Sequence, residues 1–297
     1  MLIGHKKQQD FLERIIASGN IPHALMFVGQ EKLGKRTLAL EFAKKLLGND
    51  SSGQYPDLIL IEPEGKDIQI SQIRELSRKL SLKPYFSSFK VAIINDASSM
   101  NSQAQHSFLK TLEEPKGKTV LILVAESLNL FFPTIASRCE MIKFYPVTKG
   151  EIKDFLKTQE LSAEEIEDII KLSAGRPGEA VDLAVDKSKL EKHRQAIEEL
   201  KDILNSNLGS RFRYVKDLDK EKEEEGAIDA KGILNVWLGF FRDMLLFELE
   251  YPEKKNSFGY SVPKIEDIIK KTQEIIFLTS STNANKKLAL ETLMLEF

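Results

Sequence analysis

The sequence predicts an α/β protein, with a parallel-sheet domain followed by two helical regions. Three observations carry this. Short apolar runs alternate with amphipathic stretches through the first half, the pattern of strands joined by crossover helices. A loop bearing two glycines and a lysine, Gly29 to Lys35, lies between the first such run and the helix after it. Past Pro146 the strand signals stop and helical periodicity takes over.

Strands are expected at 24–28, 58–61, 91–94, 120–125 and 141–144. A helix over 36–47 aligns Leu38, Phe42 and Leu46 on one face. Ile73, Leu76 and Leu80 make a second stripe, with Ser71 as the expected N-cap. Ala104, Phe108 and Leu112 make a third, in a helix that Pro115 ends after Glu113 and Glu114. Beyond Pro146, short helices are expected at 151–157, 163–172 and 178–185, with Gly175-Arg176-Pro177-Gly178 as a turn. A third region starts near Lys187. Its charge run, Lys220 to Glu225, reads as a solvated helix face or loop. The segments 236–241 and 244–247 are apolar nearly all round and should be buried on more than one side, as a bundle core with a share left for a subunit interface. The expected domains are 1–146, 147–187 and 188–297.

Composition narrows the class. Of 297 residues, 42% are hydrophobic and 30% charged, which fits a folded globular chain. No apolar run approaches the roughly 18 residues of a spanning helix, and no apolar stretch follows the charges of the first seven residues, as a secretory leader requires. The one cysteine, Cys139, excludes an internal disulfide and a cysteine-based zinc module, so a cytoplasmic protein without membrane contact is expected. A formal net charge of -2 argues against a stand-alone nucleic-acid binder, which usually carries a basic face. His5, His23, His106 and His193 have neither metal spacing nor a nucleophile nearby in sequence, and read as structural or exposed.

Gly29-Gln30-Glu31-Lys32-Leu33-Gly34-Lys35 has the setting of a phosphate-binding loop. Glycines let backbone N–H groups approach phosphates, the helix N-terminus adds its dipole, and Lys35 pairs the outer phosphates. The next position should carry a hydroxyl for magnesium. It is Arg36 instead, and Thr37 stands about 100° further round the helix. Arg36 opposes a metal by its own charge; it either replaces the cation in part or makes a surface contact in a retired site. The strand ending Ile94-Asn95-Asp96 offers one carboxylate, Asp96, where hydrolysis needs two. Phosphoryl transfer depends on positioning and charge neutralisation, so a weak or inactive ATPase is expected.

Several segments together resemble a known family. They are Ile21-Pro22-His23-Ala24-Leu25-Met26-Phe27, Tyr55-Pro56-Asp57-Leu58 and Leu60-Ile61-Glu62-Pro63-Glu64-Gly65, then Leu109-Lys110-Thr111-Leu112-Glu113-Glu114-Pro115. Further on come Pro133-Thr134-Ile135-Ala136-Ser137-Arg138-Cys139, Leu172-Ser173-Ala174-Gly175-Arg176-Pro177-Gly178 and the stretch from Asn283 to Glu291. In this order they resemble the delta-prime subunits of bacterial DNA polymerase III, within the AAA+ clamp loaders. The resemblance implies an AAA+ α/β domain, a helical lid and a helical collar that assembles a ring of subunits. It implies the motor gamma/tau and clamp-opening delta subunits as partners, with the sliding clamp and primed DNA reached through the assembly. It makes Arg138 an arginine finger acting in trans on a neighbour's ATP site.

Gly29, Gly34, Lys35, Arg36, Thr37 and Asp96 then form a degenerate nucleotide site that holds ATP weakly if at all, in a chain with little or no ATPase or polymerase activity by itself. The four-cysteine zinc module of many relatives has no counterpart in Gly48-Asn49-Asp50-Ser51-Ser52-Gly53, so no zinc is expected. Active motor subunits carry a lid arginine where this chain has Gly178, and Arg176 is not assigned that role. The polar residue expected after the fourth strand is Glu126 or Ser127. The alternative is an ATP-hydrolysing motor subunit that tolerates Arg36 and Asn95.

Overall fold

The structure, a computed structural model, describes all residues except 1, 49–54, 219–229, 252, 254–255 and 282–284. The charge run from Lys220 to Glu225, residues 49–53 of the missing-zinc stretch and the segment around Asn283 lie wholly or partly outside the described residues. The chain forms two compact units, Met1–Phe155 with Gly175–Glu179, and Leu156–Ala174 with Ala180–Phe297.

The first unit holds a sheet in the order β2-β3-β4-β1-β5, every described pairing parallel. Its strands are β1 (Ala24–Val28), β2 (Leu58–Ile61), β3 (Lys90–Ile94), β4 (Thr119–Ala125) and β5 (Glu140–Lys143). The helices of this part are α1 (Lys6–Ser18), α2 (Lys35–Leu47), α3 (Ile70–Leu80), α4 (Ser102–Glu113) and α5 (Pro133–Ala136). A parallel sheet covered on both faces needs strands that are apolar in every position, and β3 and β4 are buried throughout. Alternate side chains serve opposite faces. Ala24 and Met26 pack with Leu76, Leu80 and Phe108 of α3 and α4, while Leu25 and Phe27 pack with Leu12, Leu38 and Phe42 of α1 and α2. Each fully buried large side chain of this kind contributes about 1.5–3 kcal/mol.

The strands lie where the sequence places them, to within a residue at their ends. Two local details differ. Helix α3 starts at Ile70 and is capped by Gln69 rather than Ser71, because Gln69 and Gln72 satisfy each other's backbone N–H groups in a reciprocal box. The turn before α8 (Pro177–Val185) is made by Ala174 and Gly175, both left-handed at φ 48° and 76°, so that Pro177 begins the helix instead of sitting in the turn. Helix α6 (Lys149–Leu156) precedes it.

The second unit is helical among its described residues, with α7 (Ala163–Ser173), α9 (Lys187–Leu204), α10 (Leu208–Leu218), α11 (Ala230–Glu250), α12 (Val262–Ser281) and α13 (Lys286–Met294). Its core centres on Trp237 and Phe241, both at 0% exposure, packed among Leu200, Ile265, Ile268 and Leu293. Val236 and Leu238 are buried as well, so α11 is enclosed on several sides there. The expectation fails one turn later: Leu246 and Leu249 are exposed, because only one face of that turn meets the core.

Candidate functional site

Parallel strands bring all their carboxyl ends to one edge of the sheet, where ligands bind in such folds. That edge carries Gly29–Gly34 after β1, Glu62 after β2, Asn95 and Asp96 after β3, and Glu126 after β4. Gly29 is required there: a Cβ would meet the Phe144 carbonyl oxygen at 2.5 Å. Gly34, at φ 86°, takes the left-handed turn into α2.

Lys35 is 6% exposed, and its Nζ donates to the Gly29 and Gln30 carbonyls, each at 2.5 Å. Burial pulls this ammonium down to about 8, against the raising charges of Glu126, Glu31 and Asp96. Arg36 turns away to Glu62, Nη2 to Oε1 at 2.8 Å. The guanidinium that stands in the magnesium-ligand position is therefore held by a carboxylate from the end of β2. Thr37 is half-buried inside α2. Asp96 takes a left-handed backbone, φ 47°, and its carbonyl accepts from the Ser99 N–H and hydroxyl. After β4, the Ser127 hydroxyl is engaged by the Asn129 N–H at 3.3 Å, while Glu126 acts on the charge of Lys35.

Sequence reading missed two parts of this edge. The segment Gly175–Glu179 folds back on the loop: the Gly178 N–H donates to the Lys32 carbonyl at 2.7 Å, and Lys32 pairs with Glu179 at 2.8 Å. A Cβ at Gly178 would lie 2.9 Å from that carbonyl oxygen, so the position expected to bear a lid arginine in a motor subunit is closed to any side chain. Arg176 is drawn in as well, its guanidinium lowered by burial against Glu179 and Glu31. The other part is His5. It is 8% exposed, rests on Phe144 at 4.9 Å between ring centroids, and has an Nε2 with no hydrogen-bond partner among the described residues. Burial lowers its pKa, and its backbone neighbour Leu33 belongs to the phosphate loop. Neither contact has a local sequence signature.

Arg138 is somewhere else. It follows α5 and precedes β5, which runs parallel to β1 with Glu140 level with Leu25 and Lys143 level with Val28. It therefore stands at the amino edge of the sheet, separated from the chain's own phosphate loop by the length of β1, roughly 13 Å at about 3.3 Å per residue. Nη2 pairs with Glu113 Oε1 and Nη1 donates to the Thr134 carbonyl, both at 2.9 Å.

A family model described as DNA polymerase III, delta subunit, matches residues 4–148. The DNA polymerase III subunit delta' of Bacillus subtilis is 28% identical over 276 residues, 86% of this chain and 83% of that protein. Its counterpart in Pseudomonas aeruginosa is 29% identical over 208 residues, 63% of each chain. The chain belongs to the delta-prime family of clamp-loader subunits. The family has wider kin: a replication factor C small subunit of Sulfolobus acidocaldarius is 24% identical over 74% of this chain and 72% of its own length. In fold, the chain is similar to a gamma-subunit-related DNA polymerase III protein of Thermotoga maritima, at TM-score 0.55 and 23% identity, covering 96% of this chain and 97% of that one. A RuvB variant from the same organism follows at 0.51 and 16%, covering 99% and 87%. These likenesses establish the AAA+ α/β fold with helical additions.

Proposed function

We propose that this chain is the non-hydrolysing member of a clamp-loading assembly and lends Arg138 to the ATP site of a neighbouring subunit. The placement of Arg138 carries the reading: at the amino edge of the sheet it is across β1 from its own phosphate loop, and only another chain can use it there. Its own loop is degenerate by the same reading, since Arg36 is committed to Glu62 and a lid arginine has no room at Gly178. Residues 1–146 are then the nucleotide-type domain, 147–187 the lid and 188–297 the collar. The partners are a motor subunit of the gamma/tau kind and a delta-type subunit, with the clamp and primed DNA met through the complex, in the cytoplasm. Among the described residues no helix is long and apolar enough to cross a membrane.

The test is reconstitution. The isolated chain is expected to bind ATP weakly or not at all, with little added by magnesium. Arg138→Ala is expected to leave assembly intact and to slow ATP hydrolysis by the complex on primed DNA with clamp. Fingers of this kind are worth about 10³–10⁵ at their own site. Only one of several sites loses its finger, so the bulk rate falls modestly and clamp loading falls further. Arg138→Lys is not expected to rescue fully, because an ammonium lacks the planar fork. Equal rates for wild type and Arg138→Ala would refute the trans role. Magnesium-dependent turnover by the isolated chain, abolished by Lys35→Ala, would make it a motor subunit instead.

A further inference from the structure

We infer that Glu113 is a positioning residue for Arg138, presetting the guanidinium that the neighbouring ATP site receives. This rests on the trans role proposed above and adds a residue to it. Arginine side chains at a protein surface sample many rotamers, and a finger that must be found among them loses rate. Arg138 leaves a four-residue helix, α5, whose short length gives the side chain little support of its own. Two contacts fix it instead. The Thr134 carbonyl, one turn back, takes an Nη1 hydrogen, and Glu113, the last residue of α4, takes an Nη2 hydrogen. Pro115 and the C-cap at Glu114 stop α4 just there, so the carboxylate is presented from a rigid helix end beside the finger.

The chemistry leaves the finger usable. A guanidinium has five N–H donors in a plane. The contacts with Thr134 and Glu113 occupy one hydrogen on each terminal nitrogen, and the remaining donors are left for phosphate oxygens of a partner. Both side chains are accessible, the arginine at 38% and the glutamate at 50%, so an incoming triphosphate can reach the pair. A partly exposed ion pair holds such a geometry only modestly. The expected effect is correspondingly small beside loss of the arginine itself.

The experiment uses complexes reassembled with Glu113→Ala, Glu113→Gln, Arg138→Ala and the Glu113→Ala/Arg138→Ala double variant, with the other ATP sites inactivated. Single-turnover hydrolysis at the adjoining site is measured across ATP concentrations. Glu113→Ala should lower kcat by about two- to fivefold with KM for ATP unchanged, the loss expected of an exposed pair. Glu113→Gln should recover most of the rate, since its amide oxygen still accepts from Nη2. In the Arg138→Ala background the Glu113→Ala change should have no further effect. If Arg138→Ala is slow but Glu113→Ala matches wild type, or if its loss persists without the arginine, the positioning role is overturned while the finger stands. If Arg138→Ala itself matches wild type, the trans reading fails and this inference with it. Thermal melts of each variant separate misfolding from a loss of positioning.

Discussion

A buried ammonium with only carbonyls to receive it is a cost to the fold, and Lys35 is such a group. Its pKa in the folded chain is about 8, below the usual lysine value, because burial disfavours the charged form. The unfolded chain then binds more protons than the folded one between pH about 8 and about 10.4, and stability rises with pH across that window. The penalty is present in full below it, with a ceiling of roughly 3 kcal/mol. In Lys35→Met no such charge is buried. The urea midpoint of this variant, relative to wild type, should therefore be more favourable at about pH 7 than at about pH 9.5. A difference independent of pH would mean that the ammonium is solvated. At this scale the motif lysine was legible from its loop, but its state was not. Glu126 and Asp96 come from the ends of other strands, and no spacing in the chain reports that they face Lys35.

Among the elements, the start of α8 decides most about the candidate site. A glycine inside the first turn of a helix is unfavourable by about 1 kcal/mol relative to alanine, so propensity alone makes Gly178→Ala stabilising. Packing says the reverse. The added Cβ would lie 2.9 Å from the Lys32 carbonyl oxygen and 3.2 Å from its Cα, both backbone atoms that cannot swing aside. Overpacking of this kind costs about 1–3 kcal/mol, and it also strains the Gly178–Lys32 hydrogen bond. The expected net result is a loss of about 1–2 kcal/mol, read from urea unfolding, with no gain in ATP hydrolysis. A stabilised Gly178→Ala protein would show that α8 can withdraw from the loop.

For the molecule as a whole, the chain does not divide cleanly at the boundaries that the resemblance implies. Residues 156–174 pack with the helical second unit, while Gly175–Glu179 return to the first. Helix α7 is tied to α9 by Arg194 and Asp168, Nη2 to Oδ2 at 2.5 Å, and by hydrophobic burial of Ile169 and Leu172. A fragment ending at Lys187 keeps α7 but removes the helices it packs on. It is therefore expected to bind a hydrophobic dye and to melt below the full chain, and to lose co-elution with the partner subunits. A fragment that melts like the full chain without dye binding would show that α7 belongs wholly to the first unit.

The sequence alone determined the sheet, its helices and the two departures from a working ATPase, because strand burial and helical stripes repeat over short distances and a missing ligand is visible as a letter. Arg36 in place of a hydroxyl and Asn95 beside Asp96 needed no coordinates. Tertiary structure decided what long-range proximity controls. It placed Glu62 on Arg36, Gly178 on Lys32 and Glu113 on Arg138, pairs separated by many residues whose meeting depends on strand order and helix ends. It also put Arg138 and the phosphate loop at opposite edges of one sheet, since β1 and β5 run in the same direction. Local pattern carries the elements. The site is made where elements that are distant in the chain end side by side.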